Sequence, residues 1–344
     1  MQSLNLTIRE NQVQNSVKRL DYIDALKGFA ILLVVMGHVL ACNYSNFREA
    51  LASNVQGVML WKIIYSFHMP LFMFCSGFVF HKSKDFFSTK NTLTLIFRRF
   101  KGLIIPYISM GFISFLLIDR FFIYWYLYCL FVFYAITVVF EWTMFHFKWW
   151  TIRIDSLFLL ATSFLFLLLH GKFSQFEWLP LIDLGHFSLY FYFILGMIVR
   201  RHELHNFIQS HNIFFSISIV LFFGFTLANF HGISFPLSGL FYLLIPLSAI
   251  SCLLFFFQAN QNKGKIFPLL QKCGNSTLEI YVLHVFFYIS IPWGGALDLL
   301  PCKMSFVLQL VTSLLSSVIM IAICIAITNF VSKSSLLKMI LFGK

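Results

Sequence analysis

Charge is what this chain has least of: only 11% of its 344 residues are Asp, Glu, Lys or Arg, against roughly a quarter in an ordinary soluble domain. That shortage excludes a water-soluble globular enzyme, and it excludes a disordered chain as well. The 17 glycines carry no triplet period, so a collagen-like chain is excluded too. Its seven cysteines, Cys42, Cys75, Cys129, Cys252, Cys273, Cys302 and Cys324, stand singly with no C-x-x-C pair. Neither a zinc site nor a disulfide framework is indicated. There is no P-loop, no G-x-S-x-G elbow and no dinucleotide fingerprint. Nor does any stretch read as a linker, an internal repeat or a separate soluble domain. The first twenty residues lack the apolar core of a cleavable signal peptide and read as a short cytoplasmic tail.

What the chain has in abundance is apolar surface, with 59% hydrophobic residues and 46 Phe and a mean hydropathy of +0.83. Ten runs approach the ~20 apolar residues a helix needs to cross a bilayer. They lie near 25–44, 57–80, 95–118, 121–141, 155–170, 184–200, 213–229, 236–257, 276–297 and 305–331. A formal charge of +12 would point to nucleic acid in a soluble protein; here it reports topology. Nineteen Lys and Arg fall in the two tails, in the loops after even-numbered runs and at the run ends adjoining those loops, against four, Arg48, Arg120, Lys172 and Lys303, in the alternate loops. The expectation is an all-α, polytopic integral membrane helical bundle of about ten transmembrane helices, both termini cytoplasmic, with no nucleic acid among its partners. Residues 1–24 and 332–344 form the tails and 25–331 the membrane domain.

Ionisable groups inside a span are costly, so each is a functional suspect with a partner or a wet cavity to be found. The first run carries Asp24, Lys27 and His38. Eleven residues separate Lys27 from His38, three helical turns plus about 20°, so both project from one face about 16 Å apart. Asp24 lies about 40° off that line. Taken singly, Lys27 snorkels, Asp24 caps the helix and His38 bonds to a neighbouring helix. Taken together, an imidazole that accepts a proton from a hydroxyl and a lysine that holds an anion suit group transfer.

The second run carries His68, Pro70 and the Ser76-Gly77 pair, which permits close helix approach. His68 is either a buried histidine donating to a carbonyl or a member of the catalytic set. At the mouth of the third stand Arg98, Arg99 and Lys101, a positive-inside anchor or a clamp for the phosphates of a cytosolic donor. The ninth holds Glu279, Tyr281 and His284; Glu279 pairs with a base of the first or third run, or orients a histidine. Trp125-Tyr126 reads as an interfacial belt or a sugar platform. Asp183 and His186 mark an external end where an acceptor could bind. His202-Glu203-Leu-His205 lacks the order that puts two imidazoles on one helix face and reads as polar loop. No metal site is expected.

In this order the pieces resemble the integral membrane acyltransferase family 3, the group containing O-acetyltransferases of bacterial surface polysaccharides, with a fucose acetylase-like flavour. The resemblance rests on Arg19-Leu-Asp-Tyr-Ile-Asp24-Ala-Leu-Lys27-Gly, on Gly37-His38, and on Phe67-His68-Met69-Pro70-Leu71-Phe72 through Ser76-Gly77. Weaker blocks are Arg98-Arg99 with Pro106, Trp125-Tyr126-Leu127, Phe193-Ile-Leu-Gly196 and Ser276 through His284. Lys27 stands where arginine is frequent, and Lys101 replaces a second spaced arginine. The resemblance implies an acyl group, most simply acetyl, carried from cytosolic acyl-CoA to a carbohydrate hydroxyl on a surface polysaccharide or lipid-linked glycan. It implies a bacterial inner membrane and no permanently bound cofactor, acetyl-CoA being a donor substrate. His38, with Asp24 and His68, would then be catalytic, and Lys27, Arg98, Arg99 and Lys101 would bind the donor. Ser76, Trp125, Glu279, Tyr281 and His284 would support the site or contact substrate. The competing class is a transporter or flippase for a lipid-linked sugar, whose intramembrane charges line a path and make no bond.

Overall fold

A chain dissolved in lipid must satisfy its backbone internally, and apolar runs without strand alternation do so as helices. The computed structural model describes residues 20–42, 59–80, 87, 89–120, 122–147, 152–168, 184–210, 212–230, 241–261, 263–290 and 306–344. Among them are thirteen α-helices and no strand. The helices are α1 (Asp21–Cys42), α2 (Met59–Phe80), α3 (Thr89–Ile118), α4 (Trp125–His146) and α5 (Ile152–Leu168), then α6 (Tyr190–Arg201), α7 (Leu204–Ser210), α8 (Asn212–Phe230) and α9 (Phe241–Ala259), and finally α10 (Ile266–Asn275), α11 (Thr277–Ser290), α12 (Phe306–Val331) and α13 (Ser335–Phe342). Short 3-10 segments precede α4 and α6, at Phe122–Tyr124 and Leu184–Leu189.

Each of the ten expected runs carries one of these helices within its described residues, and the protein is an all-α polytopic bundle. Five helices, α1, α2, α3, α4 and α12, are long and apolar enough to cross a membrane, and α5, α8, α9 and α11 are shorter apolar helices. Boundaries shift for local reasons. α1 starts at Asp21, because Asp21 and Asp24 in its first turn complement the positive end of the helix dipole. The sixth run opens as a 3-10 turn, leaving α6 twelve residues long. α7, α10 and α13 were not anticipated. All three are too short to span.

α1 and α2 are the innermost helices. α1 packs on α2, α9, α10, α11 and α12, and α2 also on α6 and α9. Burial reaches 78% along α1 and 67% along α2, against 28% along α12, whose exposed Val307, Leu315 and Ile319 present a face for lipid. Close approach uses glycine in both central contacts. A Cβ on Gly77 of α2 would overlap the Phe193 carbonyl of α6, and one on Gly196 of α6 would overlap that of Phe74. The same reciprocity joins α1 to α10, where Gly28 meets the Leu270 carbonyl and Gly274 that of Asp24. Small residues let helix backbones approach, which is how packing is strengthened where lipid offers no hydrophobic contrast.

A second polar cluster pins the ends of α4, α5 and α6. The Arg201 guanidinium forms an ion pair with Glu141 and donates from Nη1 to Ser156 Oγ at 3.3 Å. His202 Nε2 meets the same hydroxyl at 3.0 Å. His205 instead turns towards the rings of Tyr22 and Phe78, and burial lowers its pKa. The polar loop expected here therefore holds His202 but not His205, which is buried in α7. Cys75, Cys129, Cys252, Cys273 and Cys324 are unbridged; Cys302 lies outside the described residues.

Candidate active site

Ten residues beyond Gly28 in α1 comes His38, and ten beyond Gly274 comes His284 in α11. Only Ser276 interrupts the helical path from α10 into α11. Two helices running side by side in the same direction from one glycine contact therefore bring these histidines to the same depth. His38 Nδ1 lies 3.0 Å from His284 Nε2, with the ring planes 3° apart. His284 Nδ1 lies 3.0 Å from the Ile280 carbonyl oxygen one turn back. A carbonyl only accepts, so His284 carries its proton on Nδ1 and its lone pair on Nε2. His38 Nδ1 must then donate to that lone pair, which places the lone pair of His38 on Nε2. The chain Ile280 carbonyl, His284, His38 thus fixes both tautomers and both ring orientations in the neutral pair. His38 faces the bundle, not the lipid.

Around this pair the second helix supplies rings. Tyr65 lies 6.5 Å from the His38 ring and 4.6 Å, edge-on, from His68, and Trp61 stacks on it at 4.0 Å. His68 is buried and donates from Nδ1 to the carbonyl of Ile64 in its own helix at 2.9 Å. The Tyr65 ring thus lies beside both His38 and His68.

From His284 a series of polar aromatic groups runs towards the basic cluster. Tyr281 lies 5.9 Å from the His284 ring and 5.5 Å from Tyr126. The Tyr126 hydroxyl meets Ser76 Oγ at 3.0 Å, and Tyr134 donates to the Ser76 carbonyl at 3.3 Å. The Arg99 guanidinium sits over the Tyr134 ring, 4.3 Å from its centroid. Tyr124 donates to the Val282 carbonyl at 2.9 Å and so anchors α11 from the other side. Groups from α2, α3, α4 and α11 are thereby linked into one side-chain network.

The remaining residues separate. Lys27 donates to Asp24 Oδ1 at 3.0 Å within the first turns of α1, so this pair is local. Arg98 is exposed on α3 while Arg99 turns inwards. The backbone of Lys101 lies beneath Gly343, whose Cβ, were there one, would overlap the Lys101 carbonyl. Glu279, expected to pair with the first or third run, pairs instead with Lys344. Trp125 stacks on His186 at 3.8 Å; Asp183 lies outside the described residues. Among the described residues no group of three His, Cys, Asp or Glu side chains could hold a metal ion.

The sequence profile of the acyltransferase domain, acyltransferase family 3, matches residues 20–329. The chain belongs to that family. The match covers α1 through nearly all of α12, so every element of the histidine pair and of the aromatic series lies within it. No curated protein matches, and no solved structure does. Family membership decides between the two classes the sequence left open: this is a membrane acyltransferase rather than a flippase. Sequence reasoning singled out both histidines of this acyltransferase but not their pairing, and it missed Tyr65, Tyr134 and Lys344. One signal was available. A glycine, nine residues and a histidine occur in both α1 and α10–α11.

Proposed function

We propose that this acyltransferase takes an acyl group, most simply acetyl, from acyl-CoA at the face rich in Lys and Arg and places it on a carbohydrate hydroxyl of a surface polysaccharide or lipid-linked glycan, in a bacterial inner membrane. The observation that carries the reading is the oriented pair of His38 and His284. An imidazole whose Nδ1–H is already engaged offers Nε2 as a general base. The acceptor hydroxyl oxygen attacks the thioester carbonyl carbon while its proton passes to His38 Nε2. As the C–S bond breaks, the leaving thiolate takes that proton and departs as a thiol. His284 stabilises the imidazolium that exists between those steps, because its Nε2 lone pair accepts from the charged ring.

Donor recognition falls to the cations. Arg99 with Lys101, Arg98 and Lys27 offers positive charge to the phosphates of coenzyme A. Asp24 keeps the Lys27 ammonium in place through their 3.0 Å bond, which makes Asp24 a positioning residue rather than a proton carrier. Purified protein in detergent, given labelled acetyl-CoA and a glycan acceptor, should consume thioester and label the glycan. Absence of thioester consumption with every hydroxyl acceptor offered would remove the reading. Mass spectrometry of cell-surface glycans with and without the gene identifies the acceptor, through loss of an acetyl increment.

A further inference from the structure

The segment Ser334–Lys344 crosses the third helix and ends its path on the eleventh. Ser334 caps α13 by accepting the Leu337 amide hydrogen at 3.4 Å. Gly343 closes the other end at φ 65°, a left-handed conformation that glycine adopts without strain. Three contacts hold this strap to its surroundings. Ser109 Oγ donates to the Ile340 carbonyl at 2.6 Å, Phe342 is fully buried, and Gly343 rests on the backbone of Lys101. Lys344 then reaches Oε1 of Glu279, 65 residues away in sequence.

Glu279 is a costly residue in this place. Its side chain is 6% exposed against 43% for Lys344, and its second oxygen, Oε2, is buried with no hydrogen-bond partner among the described residues. A buried carboxylate that lost its counter-charge would move towards water or neutralise. The ion pair therefore decides where the first turn of α11 sits. The next residue is Ile280, fully buried, whose carbonyl orients His284. The carbonyl on which the histidine chain depends thus belongs to the residue next to the paired carboxylate.

We propose that Lys344 and Glu279 are positioning residues for the histidine pair: their ion pair holds the first turn of α11 at the depth where Ile280 orients His284 and His284 orients His38. The inference rests on the reading of His38 as the base. Both elements have other anchors. The strap keeps its contacts with Ser109, Lys101 and the Phe342 pocket, and α11 keeps the Tyr124 bond to Val282. Loss of the pair should leave a folded protein with a misplaced base.

Kinetics of the full chain in detergent separate this role from others. Lys344→Ala should lower kcat about tenfold with donor KM changed less than about twofold, and Lys344→Arg should restore most of the rate. Glu279→Gln should give the same loss, and the double variant no more than either single one. A raised donor KM at unchanged kcat makes Lys344 a donor contact and overturns the proposal; unchanged kcat and KM, or additive losses, do so equally. Should Glu279→Gln fail to fold, the Lys344→Ala and Lys344→Arg pair carries the test. A second readout needs no turnover. In protein labelled with 15N-histidine, the protonated Nδ1 resonances of His38 and His284 should be present in the wild type and disturbed in Lys344→Ala. Identical spectra overturn the positioning role, whereas an inactive wild type with the expected spectral change overturns only the functional reading.

Discussion

Gly28 and Gly274 touch backbone to backbone, and ten residues beyond each of them the chain carries a histidine of the active pair. The glycine contact acts as a register mark. With no Cβ on either side, α1 and α10 approach closely enough that the helices stay adjacent as far as His38 and His284. A methyl group at either glycine would meet backbone atoms, which cannot rotate away as a side chain does.

Gly28→Ala and Gly274→Ala should therefore destabilise the fold by about 1–3 kcal/mol and cut kcat more than they raise KM, because the histidines separate. Gly224→Ala in α8, where nothing lies within 4 Å of the new methyl, should retain both melting temperature and rate. Melting curves and steady-state rates on the three variants check this. Equal tolerance at all three sites would show that the glycine contact does not set the register.

The histidine pair predicts a graded loss. His38→Ala should lower acyl transfer by about 10²–10⁴-fold, the range for a general base, with insertion and melting unchanged. His284→Ala should cost less, about 10–100-fold, because His38 remains and only its orientation is lost. The double variant should match His38→Ala alone, since a support has nothing to act on once the base is gone. Full activity in His38→Ala would remove it from the mechanism.

The positions of the apolar helices were legible because apolar length is a local property, read directly from runs such as 57–80 or 305–331. The ionisable residues were legible for a related reason, since charge inside such a run stands out. Their partners were not. His38 and His284 lie 246 residues apart, and Glu279 meets a lysine at the far end of a strap. Cost alone shows that Glu279 needs a cation, but which one is decided by how α13 crosses α3. The short helices escaped notice because α10 and α13 are amphipathic and interrupted by lysines, so no hydropathy run marks them.

Arg98 and Arg99 adjoin in sequence, yet only Arg99 covers the Tyr134 ring. Both Arg98→Ala and Arg99→Ala should raise the donor KM more than they alter acceptor use. Arg99→Ala should in addition destabilise the protein by about 0.5–2 kcal/mol through the lost cation–π contact, while Arg98→Ala leaves the melting temperature in place. Unchanged donor kinetics in both would take this cluster out of donor binding.

The ion pair between Arg201 and Glu141 lies in the second polar cluster, and its loss should affect stability without touching the chemistry. Both side chains are 3% exposed, so neither charge can be rehydrated without moving α6 or α4. Glu141→Gln removes the counter-charge of the buried guanidinium, and Arg201→Met removes that of the carboxylate. Each should cost about 3–5 kcal/mol, the usual penalty for breaking a buried pair from one side. The double variant removes both charges at once and should recover most of that loss, since burial of a matched ion pair brings little net stability over apolar packing. Thermal unfolding in detergent reads the three values. Molecules of the single variants that remain folded should transfer acyl groups at the wild-type rate, because Arg201, Glu141 and Ser156 are members of neither the histidine pair nor the aromatic series. Losses that simply add in the double variant would mean that Arg201 and Glu141 are stabilised by separate neighbours and that their bond does not join α4 to α6.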